Sequence, residues 1–145
     1  MKPRWSMSLL AGLALAGAAY AAHPPKIDIY KSPTCGCCGR WADHLKQQGF
    51  DVTTHLVSDV TRERARLGMP PGLSSCHTAV VRRYVIEGHV PAADIKRLLN
   101  DKPNALGLAV PGMPKGSPGM EDAHPVSYEV LLVQSNGSVR TFAQH

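Results

Sequence analysis

Aromatic residues are scarce, at 6% of the chain, and few lie near the basic residues Arg62, Arg64, Arg66, Arg82, Arg83, Lys96 and Arg97. Those cations are scattered and read as solvated surface, and without a stripe of them interleaved with aromatics the chain is not built to hold nucleic acid. No internal repeat is present, so a solenoid is excluded. No apolar run is long enough to span a bilayer comfortably. The longest, from Met7 to Ala19, follows Met-Lys-Pro-Arg and ends in Ala19-Tyr20-Ala21. A basic start, an apolar middle and a small-x-small end make residues 1–21 a secretory signal cleaved near Ala21. The remainder, residues 22–145, begins at Ala22 or His23 and suits one small domain with no stable membrane span. Loss of Lys2 and Arg4 lowers the formal charge from +5 to +3.

Cysteine is also sparse, at four residues, but three fall in the stretch Lys31-Ser-Pro-Thr-Cys35-Gly-Cys37-Cys38-Gly-Arg-Trp41. A short apolar run, Ile27 to Tyr30, precedes this stretch and reads as a strand. A helix-period segment follows, with Trp41, Ala42 and Leu45 on one face and Gly49 as its stop. The cysteines therefore sit where a strand becomes a helix. There the unpaired N–H groups and the dipole of the first turn favour thiolate over thiol. In an exported chain an even cysteine count ordinarily means structural disulfides. Neighbouring Cys37 and Cys38 pair only with strain, so a plain framework such as Cys38 to Cys76 is the weaker reading. Cys35 and Cys38 have the C-x-x-C spacing of a redox pair, with Cys37 as an additional thiol between them.

In order, the patterns predict strands at 26–31 and 51–57 and helices at 36–48 and from Asp59 as cap to Leu67. A loop entering a third strand follows over 73–81, and a fourth strand over 84–86 makes a hairpin with it through the turn Arg82-Arg83, before a helix over 92–100. This α/β order, βαβαββα with the cysteines after the first strand, resembles the thioredoxin fold. The loop that carries a proline in that fold is here Ser75-Cys76-His77-Thr78, which implies that Cys76, with His77 beside it, lies against the cysteine turn. Residues 101–125 are rich in Pro, Gly and Met and read as a long loop. Asn136-Gly137 predicts a hairpin over 126–142, added to an edge that the pattern does not choose.

Clustered thiols are soft donors for Cu(I), zinc or an iron–sulfur cluster. Because one thiolate can bridge two Cu(I) ions, the crowding suits a multinuclear copper site. Zinc, which takes four well-spread ligands, is less favoured. The competing reading is a thiol–disulfide oxidoreductase in which Cys35 attacks and Cys38 resolves. His77 is the first candidate for an additional ligand, weighed evenly against a locally bonded strand residue, and His89 is the next. Met113 and Met120 offer thioethers if the loop folds over the cysteines, although packing the loop down is their more ordinary use. His44 reads as solvated, His55 as a sheet-face residue, and His23, His124 and His145 as terminal or loop residues.

Tyr30 to Cys38 with Trp41, Ser75 to Ala79, Tyr84 to Pro91, Gly107 to Pro114 and Gly116 to Glu121 together are similar to a group of small exported metal-binding proteins. The group, long catalogued as a domain of unknown function, includes the CopG-type copper-resistance proteins. The resemblance covers nearly all of residues 22–145. It implies a thioredoxin-like fold, a periplasmic location, and copper bound by Cys35, Cys37, Cys38 and Cys76, which match residue by residue. It further implies copper redox handling under copper stress, in which other periplasmic copper-handling proteins are the natural partners. A copper oxidoreductase and a copper carrier both fit these residues.

Overall fold

The computed structural model describes residues 23–145; the signal read at 1–21, with a start at Ala22, lies outside the described residues. The chain runs β1 (Lys26–Lys31), α1 (Gly36–Gln47), β2 (Asp51–Leu56), α2 (Val60–Arg66), β3 (His77–Val81), β4 (Tyr84–Glu87), α3 (Ala92–Asp101), β5 (Gly107–Ala109), β6 (Glu129–Val133) and β7 (Val139–Gln144). The expected βαβαββα order holds from β1 to α3. The strands form one sheet in the order β2-β1-β3-β4-β5-β6-β7. β1 pairs parallel with β2 and antiparallel with β3, in register Lys31 to His77. The residue before the cysteine turn thus stands opposite the residue after Cys76. Among the described residues no helix is long and apolar enough to cross a membrane.

Each helix follows from local chemistry. Asp59 caps α2 by accepting the Arg62 N–H at 3.0 Å. α1 turns Trp41, Ala42 and Leu45 into the core against Ile27 and Ile29 of β1. The Trp41 indole N–H donates to the Val90 carbonyl at 2.9 Å, fixing α1 over the turn that leads into α3. α3 begins after Pro91, and its first free N–H, that of Ala92, donates to the ring nitrogen of His44 at 3.3 Å. His44 is therefore not a solvated residue. It is half-buried, caps a second helix, and burial lowers its pKa.

Two expectations need correction here. Residues 101–125 are not one loop, because Gly107–Ala109 pairs with β4 on one side and β6 on the other. Three residues are too few for a periodic pattern to reveal. The strand starts on glycine because a Cβ there would stand 1.7 Å from the Val85 carbonyl oxygen. β5 also settles where the hairpin goes: β6 and β7 extend the sheet beyond it. The arginines of α2 are not uniformly solvated either. Arg62 and Arg66 are exposed, but Arg64 is buried, at 5% exposure.

Candidate metal centre

Cys35 is the N-cap of α1, and its backbone N–H donates to the Ser32 carbonyl at 3.2 Å. Cys37 and Cys38 follow in the first turn, which contains no acidic residue. Cys35 and Cys38 are joined in a disulfide, while Cys37 and Cys76 are free thiols. The Cys38–Cys76 bridge of the framework reading is thus not the one made. The Cys37 sulfur lies 3.5 Å from that of Cys35 and 3.7 Å from that of Cys76. All four sulfurs stand within 4.8 Å of one another.

Cys76 comes from the loop entering β3, and that loop is held by a buried ion pair. Arg64 Nε donates to Glu87 Oε1 at 2.7 Å, with 0% of the Glu87 side chain exposed. The same carboxylate oxygen accepts the Ser75 N–H at 2.7 Å, and the Arg64 guanidinium donates to the Ser75 carbonyl at 2.6 Å. Both backbone groups of the residue before Cys76 are therefore clamped. The other carboxylate oxygen of Glu87 and the Thr78 hydroxyl are buried and make no well-formed hydrogen bond among the described residues. Burial pushes the Glu87 carboxyl above its ordinary range, against the pull of Ser75 and Arg64. Sequence reasoning missed this clamp. Its only sequence trace is the acid closing β4, and its partner lies on another helix.

His77 and His89 both reach Cys76. His77 Nδ1 is 3.4 Å and His89 Nε2 is 3.1 Å from the Cys76 sulfur. The far nitrogen of each ring faces a carbonyl: His77 Nε2 to Gly88 at 3.0 Å, His89 Nδ1 to Pro118 at 2.8 Å. A carbonyl only accepts, so each far nitrogen carries the proton and each near nitrogen presents a lone pair to the sulfur. Both rings are 0% exposed, and His77 packs on Trp41 with ring centroids 4.3 Å apart. Burial, with His89 beside it, lowers the His77 pKa to about 3, and burial lowers that of His89. Burial and the neighbouring Cys37 push the Cys76 thiol up to about 12. Without a metal the centre therefore holds neutral rings and a protonated thiol.

The Pro/Gly segment beyond β5 packs over this arrangement. Gly119 accepts from Arg40 Nε at 3.0 Å and donates its N–H to Glu121 at 2.7 Å. A Cβ on Gly119 would lie 2.8 Å from both the Cys37 carbonyl and the Trp41 nitrogen, and its φ is +86°. Gly119→Ala is expected to lift the segment from α1, withdraw the Pro118 carbonyl from His89, and cost about 1–3 kcal/mol. Urea denaturation checks the stability, and ring-nitrogen NMR checks the His89 tautomer; an unchanged denaturation midpoint would refute the account.

Met113 is 50% exposed. It follows Gly112, whose carbonyl accepts the Ser75 hydroxyl. Met120 is half-buried, in a turn closed by Gly116 and Ser117. Met69 is core. His55 lies on a sheet edge strand, stacked on Tyr30 and bonded to Asp28 at 2.8 Å. His145 is bonded to Asp94 on α3 at 2.7 Å, and His23 and His124 are exposed.

The donor set fits a soft metal. Sulfurs placed tetrahedrally about 2.3 Å from an ion stand roughly 3.8 Å apart, close to the 3.5 and 3.7 Å that separate Cys37 from Cys35 and Cys76; Cys35 and Cys38, bonded to each other, join such a set only once their disulfide is reduced. Lys31 and Arg64 place positive charge near His77, and Arg40 near His89. Residues 73–120 match the family described as "Protein of unknown function, DUF411". No curated protein matches the chain. Two solved structures, named copper resistance protein CopG form 2 and form 1, are each 42% identical to it, with TM-scores of 0.81 and 0.80. Each alignment covers 84% of this chain and 98% of the other. That identity over that span, with the convergence of the C-x-C-C turn and Cys76, places the chain in the CopG family of copper resistance proteins.

Proposed function

We propose that this chain is a periplasmic copper-binding protein serving copper resistance. In this reading the thiolates of Cys35, Cys37, Cys38 and Cys76 hold Cu(I) or Cu(II) in a multinuclear site. The observation that carries it is the gathering of four sulfurs within 4.8 Å at a helix start with no acidic residue. Zinc meets the same sulfurs, but sulfurs packed this closely are suited to bridging several Cu(I) ions. Export is supported by the signal-like residues 1–21, which leave residues 22–145 as one domain. The metal comes from, or passes to, other periplasmic copper-handling proteins.

A redox role follows from the disulfide. Cys35 and Cys38 as dithiolate can each give one electron to a Cu(II) ion. Two Cu(II) then become two Cu(I), and the two sulfurs form the bond between Cys35 and Cys38. The protein must be re-reduced before it can act again, with two electrons and two protons from a thiol donor. Copper is the substrate of that step, and the residues that carry it are Cys35 and Cys38.

A second reading, a thiol–disulfide oxidoreductase, is favoured by the same Cys35–Cys38 bond. Anaerobic reduction followed by metal analysis separates the readings. Copper binding predicts more than one copper per chain, falling by at least half in Cys37→Ser and Cys76→Ser. One zinc and no copper would leave a zinc module instead. Reduction of insulin disulfides by metal-free protein, undiminished in Cys37→Ser, would leave the exchanger.

A further inference from the structure

With Cys35 and Cys38 joined, two of the four sulfurs have no thiolate to offer. The donors that remain are carried by a different part of the fold. Cys76 and His77 lie at the start of β3, and His89 follows β4, whereas the trio belongs to α1. The three donor atoms of Cys76, His77 and His89 lie within 4.8 Å of one another.

The hydrogen bonding of this triad does not close by itself. Each ring spends its one proton on a backbone carbonyl, Gly88 for His77 and Pro118 for His89. Two lone pairs then converge on one sulfur, at 3.4 and 3.1 Å. A single S–H satisfies one of them. The other is left facing sulfur inside a pair of rings that are 0% exposed, where an unmet acceptor is costly. A cation at the meeting point satisfies both nitrogens and the sulfur together. Donors about 2.0 Å (nitrogen) and 2.3 Å (sulfur) from an ion stand roughly 3 to 4 Å apart, as each ring nitrogen does from the Cys76 sulfur. The carbonyl bond on the far nitrogen is the arrangement that orients a metal-binding imidazole and fixes its tautomer.

We propose that the protein has a second coordination mode: with the Cys35–Cys38 disulfide closed, Cys76, His77 and His89 hold a single copper ion. Two imidazoles and one thiolate are a donor set that copper accepts in either oxidation state. Cys76 is common to both modes, so oxidation of the C-x-x-C pair does not empty the protein of metal. It exchanges a sulfur-rich multinuclear site for a mononuclear one on β3 and β4. This deepens the proposed function and rests on the cysteine turn being the copper centre of the reduced chain.

Co(II), which does not itself oxidise thiols, is the probe. Full-length secreted protein is prepared with the Cys35–Cys38 disulfide intact and two free thiols counted by alkylation, then titrated anaerobically. One Co(II) per chain is expected, with a sulfur-to-cobalt charge-transfer band and visible bands of low-symmetry cobalt. The ring-nitrogen NMR signals of both His77 and His89 should shift or broaden strongly under the paramagnetic ion. His89→Gln should weaken binding at least about tenfold, in line with the losses seen even for an outer partner of a ligand. Cys35→Ser/Cys38→Ser, which has the same free donors without any oxidation, should bind as the disulfide form does. The NMR readout uses the unaltered chain, so a variant that fails to fold does not decide the matter.

Absence of the bands and shifts in the disulfide form overturns the proposal. So does cobalt binding that leaves both histidines unmoved. If that failure occurs while the reduced chain takes up several Cu(I), the four-sulfur site stands and only the second mode is lost. If the reduced chain binds no copper while the disulfide form binds cobalt through both rings, the converse holds.

Discussion

Arg64→Met is expected to destabilise the protein by about 3–5 kcal/mol, the usual cost of leaving one partner of a buried ion pair alone. The Arg64 side chain is 7% exposed and that of Glu87 0%, so water cannot replace the lost guanidinium. Three bonds are affected together. The Glu87 carboxylate loses its charged donor, the Ser75 carbonyl loses its 2.6 Å donor, and the Ser75 N–H is left bonded to an uncompensated anion. Because Ser75 precedes Cys76, the loss reaches the metal centre: alkylation of Cys76 by iodoacetamide should accelerate and copper affinity should fall. Arg64→Met/Glu87→Leu should recover much of the stability, because a hydrophobic pair of similar volume often replaces a buried ion pair at little cost. It should not recover slow alkylation, since nothing then grips Ser75. Urea denaturation of the two variants separates the effects. A single variant within 1 kcal/mol of the parent would show that the clamp contributes little.

What the sequence made legible was local. The cap at Asp59, the apolar face of α1 and the turn at Asn136-Gly137 are each written in a few adjacent residues. The meeting of Cys76 with the trio is implied by the resemblance to the thioredoxin fold, and the 3.7 Å separation of Cys37 and Cys76 realises it. Features that depend on distant partners were not legible. Arg64 sits among Arg62 and Arg66 with the same composition as a wet helix face, and only Glu87, 23 residues on, makes it different. His44 looks polar and exposed until Ala92, 48 residues later, needs an acceptor. His89 ranks only second among the ligand candidates in the sequence because the carbonyl that orients it comes from Pro118, 29 residues on. β5 was hidden by its length and by the prolines and glycines around it.

In metal-free protein, His77 should make folding stability fall as the medium is acidified from pH 6.5 towards 3. The folded ring takes a proton only at about 3, against an ordinary value of 6.5. Between these limits the unfolded chain holds a proton that the native chain does not, so each pH unit lowers stability by about 1.4 kcal/mol. Above 6.5 the ring is neutral in both states and contributes no slope. The cause is burial first, then His89 at the ring edge, with Arg64 and Lys31 adding positive charge nearby. His89 and His44, also lowered by burial, act in the same direction. Glu87 acts in the opposite one. Its carboxyl is raised, so the native state gains stability as the pH falls through that raised value towards 4.5. His77→Phe keeps a ring against Trp41 and removes the titration. Between pH 7 and 4.5 the parent should therefore lose about 2–3 kcal/mol more than this variant in urea denaturation. Equal losses would mean that the ring accepts its proton without unfolding. Loading the centre with copper should abolish the difference, because a metal on the near nitrogen competes with the proton.

The spacing of the four sulfurs along the chain also governs when each becomes available. Cys35 and Cys38 are three residues apart and meet as soon as the first turn of α1 winds. Cys76 is 39 residues beyond Cys37, and its place beside the trio depends on β3 pairing with β1 and on the Arg64–Glu87 clamp, both contacts of long sequence range. In a chain whose β3 has not yet docked, then, three thiols stand together without the fourth. A C-x-x-C bond that closes in that interval ties up the outer pair and leaves the middle sulfur as the sole member of the trio free to greet the latecomer. Cys37 thereby preserves a place for Cys76 that a two-cysteine turn would already have lost.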